Sequence, residues 1–283
     1  MNDITHHNDT PLGKQVDYPE RYDATLLAPI PRHVNRQQLG LLGIVLPFCG
    51  ADVWNAFELS WLNPVGLPQV ARARLVFPYN SPNLIESKSL KLYLNSFNQE
   101  VFASRDAVRE RIAADLSAAA GAEVDVFVQP FAGMQEMLEV PSGTCLDALD
   151  VACDVYQPDA GLLRLASANA AFTELVDEVL YTDLFRSRCP ITGQPDWATV
   201  TVCYQGAQIE HEGLLQYLVS YRLHNDFHEN CVERIFCDIL DRCQPQSLSV
   251  EANFTRRGGL DINPVRSISE MTNYAALPRY NRQ

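Results

Sequence analysis

Val232–Cys243, VERIFCDILDRC, followed by Leu248–Phe254, LSVEANF, is the stretch that decides the fold. In its first part Val232, Ile235, Phe236, Ile239, Leu240 and Cys243 recur at three- and four-residue steps, which lines them along one side of an α-helix. In its second part Leu248, Val250, Ala252 and Phe254 alternate with Ser249, Glu251 and Asn253, the period of a strand with one face on a core. A one-sided helix followed by a half-buried alternating strand points to mixed α and β structure in which both elements cover one core.

Outward from there, Ala198–Tyr204 alternates as a second strand, Gly206-Ala207 reads as a turn, and Leu214–Arg222 fits a helix or a strand. The first half has a similar layout. Gln69–Phe77 alternates, with Ala71, Ala73, Leu75 and Phe77 on one face and Arg72 and Arg74 on the other, as in a half-buried antiparallel strand. After the turn signal Asn80-Ser81-Pro82-Asn83, Leu84–Phe97 carries a helical stripe of Leu90, Tyr93, Leu94 and Phe97. Ser104–Leu116 repeats the helical pattern with Val108, Ile112 and Leu116, and Glu123–Val128 alternates again. The layout predicts two modules, residues 1–140 and 141–283, without a close sequence repeat. Gln129–Asp183 reads as a connecting region, and roughly the first 20 residues, which lack periodicity, as a loose arm or strap.

With 283 residues, 47% of them hydrophobic, the chain can bury a full core. No apolar run approaches the roughly 20 residues that cross a bilayer, and Met1–Gln15 is polar rather than signal-like, so a cytoplasmic protein with no membrane partner is expected. A net charge of −13 argues against a general grip on nucleic acid, whose phosphates must be neutralised by Lys and Arg. None of the eight cysteines forms a CxxC pair, so reduced thiols are expected rather than disulfides or zinc, with Cys203 and Cys243 as packing residues. His224 and His228 are four apart but lack a further ligand at metal-binding spacing; no metal is expected. No GxGxxG follows a strand and no GxxxxGK[ST] occurs, which sets aside Rossmann and P-loop dinucleotide sites.

Four segments can carry chemistry. Cys189 sits beside Arg186 and Arg188 with Asp196 seven residues on. Cations lower a thiol pKa, and a nearby acid can protonate an atom that sulfur has attacked; a plain loop cysteine and a turn aspartate are the bland alternatives. Glu86, within Glu86-Ser87-Lys88-Ser89-Leu90-Lys91-Leu92-Tyr93, and Glu229, after Phe227-His228, both fall at expected helix starts. There a carboxylate either complements the helix dipole or accepts paired hydrogen bonds from a guanine-like edge. In Arg256-Arg257-Gly258-Gly259 the glycines admit close backbone approach and the arginines can clamp phosphate, as Lys88 and Lys91 can; a solvated basic turn is the alternative.

Together these four segments, the last running on through Leu260-Asp261-Ile262-Asn263-Pro264, resemble the NADPH-dependent 7-cyano-7-deazaguanine reductases, in their long two-module form, from about Leu12 to the C-terminus. The resemblance implies two tandem tunnelling-fold modules, each an antiparallel sheet with two helices packed on it. It places the Glu-Ser-Lys-Ser motif in the first module and the thiol in the second, with the site formed between them, in a homodimer. It also implies reduction of the nitrile of 7-cyano-7-deazaguanine to an aminomethyl group, on the way to queuosine in tRNA. Carried over by position, Cys189 adds to the nitrile as a thioimide, Asp196 donates the proton and His228 stands beside the reacting group. Ile85, Glu86, Ser87, His228 and Glu229 bind substrate, and Ser87, Lys88, Arg257 and Gly258 bind NADPH. A cyclohydrolase of the same fold needs a metal, a non-catalytic ring-binding protein has no use for Cys189 with Asp196, and a thiol peroxidase lacks a resolving cysteine near Cys189.

Overall fold

The computed structural model describes residues 18–132, 138–167, 175–271, 273–274 and 277–283. In chain order the elements are β1 (Pro29–Pro31), α1 (His33–Gln38), β2 (Cys49–Leu62), β3 (Pro68–Pro78), β4 (Asn83–Ile85), α2 (Ser87–Asn95), α3 (Arg105–Ala120), β5 (Asp125–Pro130), β6 (Thr144–Cys145), β7 (Leu175–Arg188), β8 (Pro195–Ala207), α4 (His211–Ser220), α5 (His228–Cys243), β9 (Ser247–Phe254) and β10 (Leu260–Ser267). They form two compact units: described residues up to 34 with 54–132 and 257–260, and 35–53 with 138–256 and the described residues from 261 on.

In the first unit β3 lies between β2 and β5, antiparallel to β5 with Ala73 opposite Val128. The helices α2 and α3, with Phe97 in the turn after α2, supply a core of Leu90, Tyr93, Phe97, Val108, Ile112 and Leu116, all fully buried with Leu75 of β3. Asp115 of α3 accepts hydrogen bonds from Tyr93 (2.7 Å) and Tyr22 (2.6 Å), so the one carboxylate joins both helices and the entering chain. Ser104 caps α3 through the Ala107 N–H, and Gly121 closes it in the left-handed region.

The second unit orders its strands β10-β9-β8-β7-β6, antiparallel except for the two-residue parallel edge pair β6–β7. Val200, Val202, Val250 and Ala252 of the sheet are buried, as are Tyr217 of α4 and Val232, Ile235, Phe236 and Ile239 of α5. Both units thus pair an antiparallel-dominated sheet with two helices. The second core also buries ions. Glu233 accepts from Arg36 through both oxygens (2.7 and 3.0 Å) and from Arg266 (2.9 and 3.2 Å), and Arg266 also pairs with Asp52 at 2.9 Å.

Several expected elements differ. Leu84 and Ile85 leave the predicted helix for β4, which pairs with β1. The Leu214–Arg222 pattern is helical, in α4, with Tyr217 and Tyr221 hydroxyls 2.8 Å apart one turn on. Gly206-Ala207 is not a turn; it ends β8, with Ala207 opposite Leu175. The far face of β3 is covered: Arg74 donates to Asn55 at 2.8 Å and Arg72 to Gln129 at 2.9 Å, both buried. Leu175–Asp183, read as part of a connection, opens β7. The strands β2 and β10 carried no alternating signal because they are buried on both sides, over eight consecutive residues in each. The expected N-terminal arm, up to residue 17, and Ala168–Ala171 lie outside the described residues.

Candidate active site

In the second unit the β7–β8 hairpin sets the thiol and the acid. Arg186 pairs with Trp197, Ser187 with Asp196 and Arg188 with Pro195. The Cys189 N–H then donates to the Gln194 carbonyl (2.9 Å) and the Gly193 N–H to the Cys189 carbonyl (3.0 Å). The seven-residue spacing of Cys189 and Asp196 is therefore one tight hairpin turn. Strand alternation buries Phe185, Ser187 and Cys189 and leaves Arg186 and Arg188 half-exposed on the other side. So the two arginines precede the thiol in sequence but face away from it.

Asp196 is 3% exposed, and His228 Nε2 lies 3.5 Å from its Oδ2. The imidazole stacks on Phe254 with centroids 3.8 Å apart and planes at 20°. This ring is held because His228 is the first residue of α5, whose start is fixed by Asp226: its carboxylate accepts from the Phe227 N–H (2.8 Å) and from Asn230 (2.7 Å). Glu229 follows, buried in the first helical turn where the macrodipole favours a carboxylate. The structure thus brings His228 to the hairpin of Cys189 and Asp196, with Glu229 the next residue of the helix that holds His228. Sequence reading missed Phe254, whose only signal was its place at the end of an alternating strand, directly across from Ala198.

All eight cysteines are unpaired. Burial raises the thiols of Cys49, Cys153, Cys203, Cys231, Cys237 and Cys243, with Cys237 pushed up to about 12 and Cys243 to about 11. Cys231 is the instructive neighbour. Burial first, then the Asp226 and Asp196 carboxylates, holds it well above an ordinary thiol, so it is a proton-bearing wall of the site and a poor nucleophile.

In the first unit Ile85 ends β4 and Glu86 caps α2. The Glu86 carboxylate accepts from Lys88 N–H (2.6 Å) and Ser89 N–H (2.9 Å). The Ser87 hydroxyl donates to it as well (3.4 Å); a carboxylate offers about four lone-pair directions, so one remains free and a ring edge would take the place of the Ser87 contact. Burial raises the Glu86 pKa against the opposing backbone hydrogen bonds. The folded state therefore holds this proton more tightly than the unfolded chain. Stability from this group is present below the ordinary glutamate range and is lost as pH rises through the raised value. Glu86→Gln is expected to flatten the fall of unfolding free energy with rising pH across that window; an unchanged slope in denaturant titrations would contradict it.

Arg257 and Leu260 exchange hydrogen bonds (2.8 and 3.2 Å) around Gly258 and Gly259, whose φ of 58° and 77° make a type I′ turn. Glycine is needed at both positions. A Cβ on Gly258 would come within 2.8 Å of Lys91 Nζ, and one on Gly259 within 2.5 Å of the Glu58 carboxyl carbon. Ala56, Glu58, Lys91, Leu94, Asn95 and these glycines line a recess of about 220 Å³, with Lys91 3.7 Å from Glu58. Among the described residues no group of three or more His, Cys, Asp or Glu is placed to hold a metal ion, and no helix is long and apolar enough to cross a membrane.

A family model described as nitrile reductase, 7-cyano-7-deazaguanine-reductase N-term, matches residues 18–128, and one described as QueF-like protein matches 195–273. Proteins named NADPH-dependent 7-cyano-7-deazaguanine reductase are similar over most of their length. That of Azoarcus sp. (strain BH72) is 55% identical over 259 residues, 91% of this chain and 90% of the relative. That of Paraburkholderia phymatum is 52% identical over 91% and 93% of the two chains, and that of Dechloromonas aromatica (strain RCB) 52% over 94% and 92%.

Proposed function

Because the chain belongs to the family of NADPH-dependent 7-cyano-7-deazaguanine reductases, we propose that it is the nitrile oxidoreductase, reducing 7-cyano-7-deazaguanine to 7-aminomethyl-7-deazaguanine through a covalent thioimide on Cys189. The product serves queuosine formation in tRNA. The observation that carries the reading is the buried hairpin that sets Cys189 beside Asp196, with His228 in contact.

A nitrile carbon is a weak electrophile, and a thiol fixed on a tight turn meets it as a near-unimolecular partner. Sulfur bonds to the nitrile carbon as the thiol gives up its proton to the Asp196 carboxylate, one of the C–N π pairs moves to nitrogen, and Asp196 delivers that proton to the nitrogen, so addition is proton-neutral. His228, 3.5 Å from Asp196, returns a proton to that carboxylate, and its stacking on Phe254 fixes the path. Glu229 and Glu86 accept hydrogen bonds from the ring N–H and amino edge of the deazaguanine, with Ile85 and Ser87 beside them. NADPH when bound supplies hydride, twice per substrate, since nitrile to amine is a four-electron reduction. The glycine turn and the cations beside it suit its phosphates, and Ser87, Lys88, Arg257 and Gly258 would hold it.

The division into modules at 1–140 and 141–283 belongs to this proposal and is supported by the two separate family matches. Pairing as a homodimer, and a cytoplasmic location in keeping with eight unpaired thiols, belong to it as well.

Asp196→Asn is expected to keep the fold and slow covalent addition by about 10²–10⁴-fold, the usual worth of a positioned proton donor; a near-normal addition rate in stopped flow would assign the proton to another group. Replacing Lys88 and Arg257 by neutral residues is expected to weaken NADPH more than nitrile binding, and the reverse order in calorimetry would exchange the two subsites. The proposal as a whole is tested by stoichiometry: nitrile-dependent NADPH oxidation, followed at the nicotinamide absorbance, is expected at two per substrate. Absence of oxidation would reject it.

A further inference from the structure

The face of the β7–β8 hairpin that carries Arg186 and Arg188 is built around Trp197. The guanidinium carbons of Arg186, Arg222 and Arg282 each lie 5.6 Å from the Trp197 ring centroid. They come from three places in the second unit: Arg186 is the cross-strand partner of Trp197, Arg222 sits in the 3-10 turn Tyr221–Leu223 after α4, and Arg282 is one residue from the C-terminus. Arg188 stands two residues from Arg186 on the same side of the strand.

In a chain of net charge −13 such a gathering calls for a counter-charge, yet among the described residues no carboxylate lies within 4 Å of any of the four guanidiniums. Asp226, whose N–H donates to the Arg188 carbonyl, turns its carboxylate to Phe227, Asn230 and His224, and the Asp183 carboxylate accepts from Thr199. Arg282 gives one N–H to the Asp183 carbonyl. The Nε groups of Arg186 and Arg188 are shielded from water and have no acceptor. Burial, then the charges of Arg222 and Arg188, lowers the Arg186 pKa. One indole is worth only about 0.5–2 kcal/mol to a cation over its face, and it offers no acceptor to the in-plane N–H groups of Arg186 and Arg188.

We infer that Arg186, Arg188, Arg222 and Arg282, collected around Trp197, form a binding site for a phosphate dianion. A carboxylate has two oxygens and suits one guanidinium fork. A phosphate presents three or four around a tetrahedron and can take forks from several directions at once, which matches donors arriving from a strand, a helical turn and the C-terminus. All four arginines belong to the second unit, whereas Lys88, Lys91, Arg257 and Gly258 belong to the first.

The test is calorimetric titration of the whole protein with inorganic phosphate and, separately, with glycerol 3-phosphate, at ionic strength held constant with chloride. Saturable one-to-one binding is expected, weakened roughly tenfold or more, about 1.4 kcal/mol, in Arg222→Gln and Arg186→Gln and unchanged in Lys88→Ala. Arg222 is exposed, so its variant keeps the fold, which an unchanged Tm verifies. Tighter binding of glycerol 3-phosphate identifies a monoester ligand, and tighter binding of phosphate identifies the free anion; both uphold the site. No saturable heat beyond the chloride control, or undiminished binding in Arg222→Gln, overturns it.

Discussion

Cys189→Ala is expected to abolish nitrile reduction, with turnover falling by at least about 10⁴-fold, while 7-cyano-7-deazaguanine still binds. The substitution removes only a sulfur from a position that is 7% exposed and held by two backbone hydrogen bonds of the hairpin turn, so Asp196, His228 and Glu229 keep their places. Another cysteine cannot take over. The thiol of Cys231 is held protonated by burial and by two carboxylates, and Cys237 and Cys243 are pushed to about 12 and about 11. Binding by calorimetry with turnover lost is therefore the expected pair of results. Turnover retained in Cys189→Ala would remove the thioimide from the mechanism.

Glu233→Ala is expected to have the largest effect on stability, a loss of about 3–5 kcal/mol, because it strips a buried carboxylate from two buried guanidiniums. Burial acts to lower the Arg266 pKa, and the Asp52 and Glu233 carboxylates more than offset it. Without Glu233, Arg266 retains the Asp52 carboxylate and the Ala51 and Val265 carbonyls, and Arg36 loses its bidentate acceptor. The loss reaches the site through the helix, since Glu233 lies one turn beyond Glu229 in α5. Urea denaturation is the measurement, and a Tm lower by on the order of 10 °C should accompany it. A change below about 1 kcal/mol would show that water or a rearranged partner satisfies the arginines. Replacing Glu233, Arg36 and Arg266 together by apolar residues of similar volume should cost much less than Glu233→Ala, since no unpaired charge is then left behind.

The parts of the fold legible in the sequence were those whose two faces differ in polarity. The helix α5 and the strands β3, β8 and β9 keep their period because one side is polar and the other apolar, even where, as in β3, the polar side is itself covered. Where both faces are buried without such a division the period disappears. In β10, Asp261, Asn263 and Arg266 are buried as completely as Ile262 and Val265, and Pro264 argues further against a strand. Their polar groups are met by partners distant in sequence, such as Gln283 for Asn263 (2.6 Å), which no local pattern encodes. β7 is obscured differently, by the register shift between Thr182 and Phe185.

For the site, Glu86 and Glu229 were readable as helix-start acids because capping is a local property, and Cys189 with Asp196 because a hairpin keeps neighbours in sequence close in space. Phe254 under His228 and the arginines around Trp197 depend on pairings across the second unit and left no such trace. The two arginines beside Cys189 show the limit from the other side. Adjacent in sequence, they point to the opposite face of the strand, so proximity along the chain overstated what they do for the thiol.

The most direct test of the account is the intact mass of the purified protein after mixing with 7-cyano-7-deazaguanine in the absence of NADPH. The thioimide predicts a gain of one substrate mass, absent in Cys189→Ala and reversed when NADPH is added. An unchanged mass in a protein that calorimetry shows to be saturated with the nitrile would contradict it.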